Sequence, residues 1–591
     1  MRPNIQKLLF FISFFTIVIF YSIFYSHSDL NHTAISSYAL LSGHIHDFYE
    51  FNKFKMVAND YLPLVYWGFA IWNFPFCTFA IDCDTSAILT TKELIVQKLL
   101  LAFLFGLSIK LINTIGKEVT KSDGVVVNTT LFYSSSAVML FCIFAFNQYD
   151  IVGIVLSLYG VLFFLRNKLI RFSLLFAAAI SVKYFAAIAF FPLLLIAEKR
   201  ISRIAIYCLI AASITLLQIY FYRDSPTFMT SFYALALKKV SAEGGIYTLI
   251  SGLASGAAYL VILGGSWLYK PMDTTQKLRA CVIASIAAYL TLFLKVDWHP
   301  QWICIILPYL ALSTLYSKNI TINLLFQLAL GASYILLVVS RYPNNLDNYL
   351  LGAGFFGDYF GYLHIPIVAL YKFIDFKWVA YCFYVSIIYF LYESVSSKKI
   401  SNLSPSYSSQ TLVMWASNLV FIIPSLIIAF SSPIYLSRFD KTAILRNKSI
   451  IKIGNGDGKG KFLETINTGD QIIQFFRPEL SNLTAISLIF GTHHKTSNSL
   501  MKFDIYTKQE SIYSTTLDFT KIYPNMLTTI KDIDAGNRCN DGCYISITVT
   551  SGELPLELWY ETEKNSPESK YFLFNNSKIK GTFIVEEFYN K

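Results

Sequence analysis

The chain has 591 residues, of which 55% are hydrophobic, 17% aromatic and 14% charged, with a formal net charge of +11. Soluble domains carry roughly 25% charged residues, and here the deficit is concentrated in long apolar runs, which excludes a wholly soluble protein. The basic excess sits mostly at the ends of those runs, where Lys and Arg orient membrane spans, so acidic lipid headgroups rather than nucleic acid are the partner it implies.

The opening "MRPNIQKLLFFISFFTIVIFYSIFYSHSD" holds about 20 apolar residues, too long for the core of a signal peptide, and no small-residue cleavage site follows. It predicts an uncleaved first span with Arg2 and Lys7 inside. Next comes "GHIHDFYEFN" at Gly43 to Asn52, with Asp47 and Glu50 among aromatics, then "NDYLPL" at Asn59 to Leu64. Leu62 to Ile81 is apolar enough to span, yet it holds Pro63, Asn73, Pro75 and two Trp. A span there would invert the charge pattern downstream, so the segment is predicted to be interfacial or re-entrant on the outer face. "YFGYLHIPIVALYKF" at Tyr359 to Phe373 is read the same way.

A span needs roughly 20 apolar residues. Candidates begin near Gln6, Leu94, Val125, Ile151, Ile170, Tyr184, Ile204, Tyr247, Leu278, Gln301, Ile320, Phe376 and Thr411, about thirteen in all. With the N-terminus inside, the inner loops include "KLINTIGKEVTKSDG", "RNKLIR", "EKRISR", "KPMDTTQK", "YSKN" and "SSKKISNLSPSYSSQ". All but "YSKN" carry two or more Lys or Arg, as the positive-inside rule asks. Cys77, Cys142, Cys208, Cys281, Cys304 and Cys382 lie in apolar runs and read as small hydrophobes.

From about Arg438 composition shifts to Gly, Asn, Asp, Lys and Thr, and two-residue alternation appears in "QIIQFF", "LTAISLIF", "LMKFDIY", "CYISITVT", "LELWYET" and "GTFIVEEFY". Short alternating strands between turn signals predict a β-sandwich or jelly roll. The expected organisation is a mainly α, polytopic helix bundle over 1–436 and a β-domain over 437–591. An odd span count puts the β-domain outside the cytoplasm, where Cys539 and Cys543 of "CNDGC" would form a disulfide around a turn; a zinc knuckle would need two further ligands.

The predicted outer face collects Asp47, Glu50, Asp60, Asp150, Lys183, Arg223, Asp224, "KVDWHPQW" at Lys295 to Trp302, Arg341 and His364. An enzyme at a membrane surface uses such a set: a carboxylate for a proton, cations for an anionic headgroup, aromatics for a sugar or a prenyl chain.

Here the sequence resembles the C-type (GT-C fold) glycosyltransferases, polytopic enzymes that use polyprenyl-phosphate sugars, and within them a bacterial mannosyltransferase-like branch. Four features carry the resemblance: the acid of "HDFYEFN"; "DYLPL" at Asp60 to Leu64; "NQYDIVGIVLSLYGVLFFLRNK", with Gln148, Tyr149 and Asp150 opening a span and Lys183 one hairpin later; and "HPQW", with Leu307 and Pro308 further in. They cover about residues 1–320. Relatives often show a second proline where this chain has "DYLPL". The β-domain is similar to carbohydrate-binding-like domains appended to such enzymes.

The resemblance implies Asp47 as general base, with Glu50 beside it as a second catalytic carboxylate or acceptor ligand. Asp60, Tyr61, Gln148, Asp150, Lys183, Arg223, His299, Gln301 and Arg341 would bind substrate. Inversion at the sugar C1 is expected, with polyprenyl phosphate as leaving group. The donor is a polyprenyl-phosphate hexose, mannose-like by the resemblance, the acceptor a glycan, lipid or protein hydroxyl, and the location a bacterial inner membrane with the site facing the periplasm. No cofactor is expected: no Gly-rich nucleotide loop is present, and the first loop lacks a tight acidic cluster for the divalent metal that some relatives use.

Each residue also has a plainer reading. Asp47 and Asp150 would cap helices, Asp60 would cap a helix starting at Tyr61, Lys183 would snorkel, and Arg223 and Arg341 would anchor at the interface. Trp67, Trp72, Trp298 and Trp302 read first as an interfacial belt. An O-antigen polymerase or ligase shares the span count and outer-face chemistry, and the stretch from Arg341 to Asp375 is a mild match to its late loop. A transporter would show repeats and broken helices at the bilayer midplane, and no repeat is visible.

Overall fold

Backbone that crosses lipid must satisfy its N–H and C=O groups within itself, and the apolar runs do so as helices. The computed structural model describes residues 28–54, 61–79, 83, 89, 91–238, 246–295, 300–317, 319–341, 376–397 and 400, and then 448–452, 461–476, 483–491, 499–507, 510–518, 526–530, 533–535, 538–539, 542–551, 556–560, 571–574, 577–580 and 586–590. The chain divides into two compact units, Met1–Pro433 and Ile434–Lys591.

The first unit opens with α1 (Ser28–Leu41), α2 (Phe48–Phe54) and α3 (Pro63–Phe79). Then come α4 (Thr91–Val119), α5 (Asp123–Ser134), α6 (Ala137–Leu140) and a π-helical turn at Phe141–Ala145. They are followed by α7 (Asp150–Leu165), α8 (Leu169–Val182), α9 (Ala186–Ala197), α10 (Ile201–Tyr222), α11 (Pro226–Lys238), α12 (Ile246–Leu268) and α13 (Thr274–Lys295). A 3₁₀ turn at Pro300–Ile305, α14 (Leu307–Ser313), a second 3₁₀ turn at Thr314–Tyr316, α15 (Ile320–Arg341) and α16 (Phe376–Ser396) complete the described helices.

Five stretches are long and apolar enough to cross a membrane: Lys92–Val119, Ile201–Tyr222, Thr274–Phe293, Thr321–Val338 and Lys377–Ser396. Asp123–Ser134 with Ala137–Ala145, bent by 43°, would be a sixth. The count of about thirteen is therefore not reached among the described residues. The spans predicted near Ile151, Ile170 and Tyr184 are helices of 16, 14 and 12 residues. They are cut where Asn167 turns at φ 59° and where Lys183 is extended. The span predicted from Gln301 is divided between the two 3₁₀ turns and α14. Those from Gln6 and Thr411, and the segment at 359–373, lie outside the described residues.

Cys77 corrects a second expectation. It is disulfide-bonded to Cys83, with Cα atoms 5.4 Å apart, just past the end of α3. Its apolar neighbours masked that pairing in the sequence. Trp302 is a third correction: it is buried with its ring centroid 4.5 Å from that of Phe185, rather than standing in an interfacial belt.

Two ends of the bundle are distinguishable. At one, basic side chains cap helix C-termini. Lys277 Nζ donates to Phe164 O at 2.6 Å. Lys199 donates to Leu195 O and Ser266 O, and Arg279 to Ser394 O and Val395 O. Arg166 pairs with Glu118, and Tyr316 Oη donates to Thr275 O. The loops predicted to lie inside are thus brought together. Cations suit the negative end of the helix dipole, and these charges satisfy terminal carbonyls. The other end holds α1 to α3, the start of α7 and the end of α8. Between these ends α7 and α8 pack so closely that a Cβ on Gly160 would lie 2.6 Å from Phe176 Cε2.

The second unit pairs its strands antiparallel in two six-stranded sheets. With β1 (Lys448–Lys452), β2 (Lys461–Ile466), β3 (Gln471–Phe476), β4 (Leu483–Gly491), β5 (Leu500–Tyr506), β6 (Ser511–Asp518), β7 (Met526–Ile530), β8 (Cys543–Ser551), β9 (Leu556–Tyr560), β10 (Tyr571–Phe574), β11 (Ser577–Lys580) and β12 (Glu586–Asn590), the orders are β1-β12-β4-β9-β2, with β7 on β4, and β11-β10-β3-β8-β5-β6. Inward residues of both sheets, among them Ile486, Leu488, Phe503, Ile545 and Ile547, share one core, as in a sandwich. Cys539 and Cys543 are disulfide-bonded. Gly542 between them sits at φ 99°, and the Phe475 ring covers it so closely that no Cβ fits.

Candidate functional site

Lys183 ends α8 in extended backbone, and Asp150 is the first residue of α7, where a carboxylate suits the positive end of the dipole. Adjacent antiparallel helices bring these two termini together: Lys183 Nζ lies 2.7 Å from Asp150 Oδ1, and both side chains are buried. The ammonium also lies 5.2 Å from the ring centroid of Tyr61 and 5.1 Å from that of Tyr149. The two rings meet edge to face at 5.3 Å. A buried cation needs compensation, and here a carboxylate and two π faces supply it.

Tyr61 is fixed on both sides. Its C=O accepts a 2.8 Å hydrogen bond from Tyr49 Oη, and its N–H donates to Tyr66 Oη at 3.2 Å. Burial pushes the Tyr49 phenol well up, so it serves as a neutral donor.

The turn entering α7 is unusual. After the π-helical turn, Asn147 adopts φ 54°, a left-handed conformation that Asn tolerates better than most residues. Gln148 N–H donates to Cys142 O at 3.0 Å and its side-chain amide to Phe146 O at 3.1 Å. Asn147 is fully buried, and neither amide atom has a hydrogen-bond partner among the described residues. Sequence reasoning passed over Asn147 and named Tyr149 only as part of the motif, without a role for its ring. The signal was a short polar residue beside an aromatic at the break of an apolar run.

Asp47 is exposed. Its Oδ2 lies 2.9 Å from His44 Nδ1, and its C=O accepts from Phe51 N–H at 2.8 Å, at the residue before α2. The bond from His44 holds the Asp47 carboxyl below its ordinary range. The His44 ring stacks on Phe51, 3.6 Å between centroids and 15° between planes. Glu50 faces elsewhere: its Oε1 accepts from Ser225 Oγ at 2.7 Å and Thr227 N–H at 3.4 Å, at the start of α11. Ser225 Oγ in turn accepts from Phe228 N–H at 3.0 Å.

Tyr61, Asp150 and Lys183 are thus brought together, with Gln148 in the adjoining turn. Asp47 is not in contact with this group; the link shown is from α2, which it precedes, through the Tyr49 bond to Tyr61. Arg223 is exposed, 4.4 Å over the Tyr220 ring and 3.6 Å from Asp224. Gln301 is buried in its 3₁₀ turn, and Arg341 ends α15. Asp60 and His299 lie outside the described residues. Among the described residues no three His, Cys, Asp or Glu side chains gather to hold a metal.

No protein-family model matches the sequence. No curated protein matches it either. Among solved structures, the chain is similar to the cryo-EM structure of arabinosyltransferase EmbB from Mycobacterium smegmatis, at 11% identity and a TM-score of 0.37 over 95% of this chain. It spans 65% of the length of that chain. A likeness at that score decides neither fold nor activity here.

Proposed function

We propose that the first unit is a membrane-embedded glycosyltransferase. It moves a sugar from a polyprenyl-phosphate donor to an acceptor hydroxyl, with inversion. The observation that carries this reading is the buried Lys183–Asp150 pair caged by Tyr61 and Tyr149, at the bundle end that also holds the Asp47 loop. A donor phosphate brought to that end competes with Asp150 for the ammonium, and charge on the departing polyprenyl phosphate is met by a preplaced cation. The first loop, around Asp47, supplies the base function, because an acceptor hydroxyl is a poor nucleophile until a base takes its proton. Glu50, Asp60, Gln148, Arg223, His299, Gln301 and Arg341 are proposed to border the substrates.

A mannose-like hexose is the favoured sugar, and a glycan, lipid or protein hydroxyl the acceptor. In this reading the site end and the second unit each face the periplasm of a bacterial inner membrane. The Cys77–Cys83 and Cys539–Cys543 disulfides support an oxidising compartment for both.

The test is release of polyprenyl phosphate from radiolabelled polyprenyl-phosphate hexoses by the full chain in nanodiscs. Turnover that Lys183→Ala weakens through KM for the donor supports the reading. No turnover with any donor and acceptor pair sinks it.

A further inference from the structure

We infer that the proton leaving the acceptor hydroxyl is taken by Nε2 of His44, with Asp47 as the carboxylate that fixes the imidazole and balances its charge. This rests on the glycosyl-transfer reading above and says which atom of the first loop carries the proton.

A carboxylate only accepts, so the His44 nitrogen 2.9 Å from Asp47 Oδ2 must be the one bearing hydrogen. That fixes the tautomer: Nδ1–H faces Asp47, and Nε2 keeps its lone pair. The ring is held in its plane by the parallel Phe51 ring 3.6 Å away. The Asp47 backbone is held by the 2.8 Å bond that opens α2. The loop itself is anchored by Tyr222 Oη donating to Ile45 O at 2.9 Å. Two fixed groups therefore orient one nitrogen, and the side chains are 34% and 59% exposed.

The chemistry favours the imidazole over the carboxylate. A general base works best when its pKa lies near the working pH. The hydrogen bond that lowers Asp47 makes it a weaker base still, whereas the imidazole offers a lone pair at Nε2 and can balance the charge it gains against the adjacent carboxylate. Among the described residues, the other titratable and charged groups on the elements packed here include His32, His46, Glu50, Lys53, Arg223 and Asp224. Glu50 is engaged by Ser225, and Asp224 lies against Arg223. His46 acts on Asp47 with the same sign as His44.

The step balances. The acceptor O–H bond breaks and its proton moves to Nε2. The acceptor oxygen forms a bond to the sugar C1 as the C1–O bond to phosphate breaks, and that electron pair leaves on polyprenyl phosphate. The imidazolium is balanced by Asp47 and returns its proton to water.

The test uses the full chain in nanodiscs with polyprenyl-phosphate mannose, glucose and galactose as donors and n-octyl glycosides as acceptors. kcat and KM are measured across pH for wild type, His44→Gln, His44→Ala, Asp47→Asn and the double variant His44→Gln/Asp47→Asn. His44→Gln is expected to lower kcat about 10²- to 10⁴-fold, leave the donor KM near wild type and remove the acidic limb of the profile. Imidazole added to His44→Ala is expected to restore part of the rate. The double variant should be little worse than either single one, as for residues that act as a unit. If His44→Gln keeps the wild-type kcat and acidic limb while Asp47→Asn is inactive, Asp47 acts alone: the inference falls and the glycosyl-transfer reading stands. If wild type turns over none of the donors, both fall.

Discussion

The ammonium of Lys183 and the carboxylate of Asp150, 33 residues apart in the chain, are 2.7 Å apart in the fold and buried together. Each would be costly alone, so they define one another's place. Removing one partner leaves an uncompensated buried charge, a loss of about 3–5 kcal/mol. Lys183→Met and Asp150→Leu should each lower the thermal midpoint of the detergent-solubilised protein. The double variant should recover much of the loss. A double variant as unstable as the sum of the singles would show that the two are not coupled.

Gly160→Ala should destabilise. The added Cβ meets the ring of buried Phe176 at 2.6 Å, and overpacking of this kind costs about 1–3 kcal/mol. Gly153→Ala, whose Cβ would meet Lys183 Cβ at an ordinary 3.7 Å, is the matched control and should be nearly neutral. Denaturation of the two variants side by side decides it.

Asp47 contributes to stability with a definite sign. Its folded-state pKa is lowered, first by the bond from His44. Its contribution is therefore present above the ordinary carboxyl value of about 3.9 and lost as pH falls through the lowered folded value. The side chain is exposed, so the effect is small. The stability gap between wild type and Asp47→Asn should shrink on acidification. A gap that widens toward acid would reverse the assignment.

Ser225→Ala should cost about 0.5–2 kcal/mol, the usual range for a lost N-cap, because Ser225 accepts from Phe228 N–H and donates to Glu50. Limited proteolysis near α11 should accelerate. If it does not, the cap is not what holds that helix.

The two disulfides can be mapped on cells. A membrane-impermeant maleimide should label Cys77, Cys83, Cys539 and Cys543 only after reduction, and all four from outside. Labelling of either pair without reductant, or from the cytoplasmic side alone, would contradict the placement in an oxidising compartment.

Much of the second unit was legible from alternation. "QIIQFF" and "LMKFDIY" coincide with β3 and β5, and "LTAISLIF" and "CYISITVT" are one residue short of β4 and β8, because one face is buried and the side-chain period is two. β6 has no fully buried position, so its sequence lacks that contrast. In the first unit hydropathy found the long helices and the breaks near Asn167 and Lys183, but it joined the two 3₁₀ turns and α14 into one span from Gln301, since a window sees apolar composition and not backbone geometry. Asp150 and Lys183 stood out as charges at the ends of apolar runs. Their pairing, and the part of Tyr61 in it, depends on how α7, α8 and the first loop meet, which no local pattern records. Cys77 was misread for the same reason: its neighbours are apolar, and its partner lies beyond the helix.

The shortness of α7 and α8 has a physical consequence. At 1.5 Å per residue, 16 and 14 residues make helices of about 24 and 21 Å, against a hydrocarbon layer about 30 Å thick. If their basic ends at Arg166 to Arg171 stand at one interface, Asp150 and Lys183 fall several ångströms short of the other. Either the bilayer thins around this hairpin or a recess opens above it. Either arrangement would let the headgroup of a neighbouring lipid move sideways over the ion pair without leaving the leaflet.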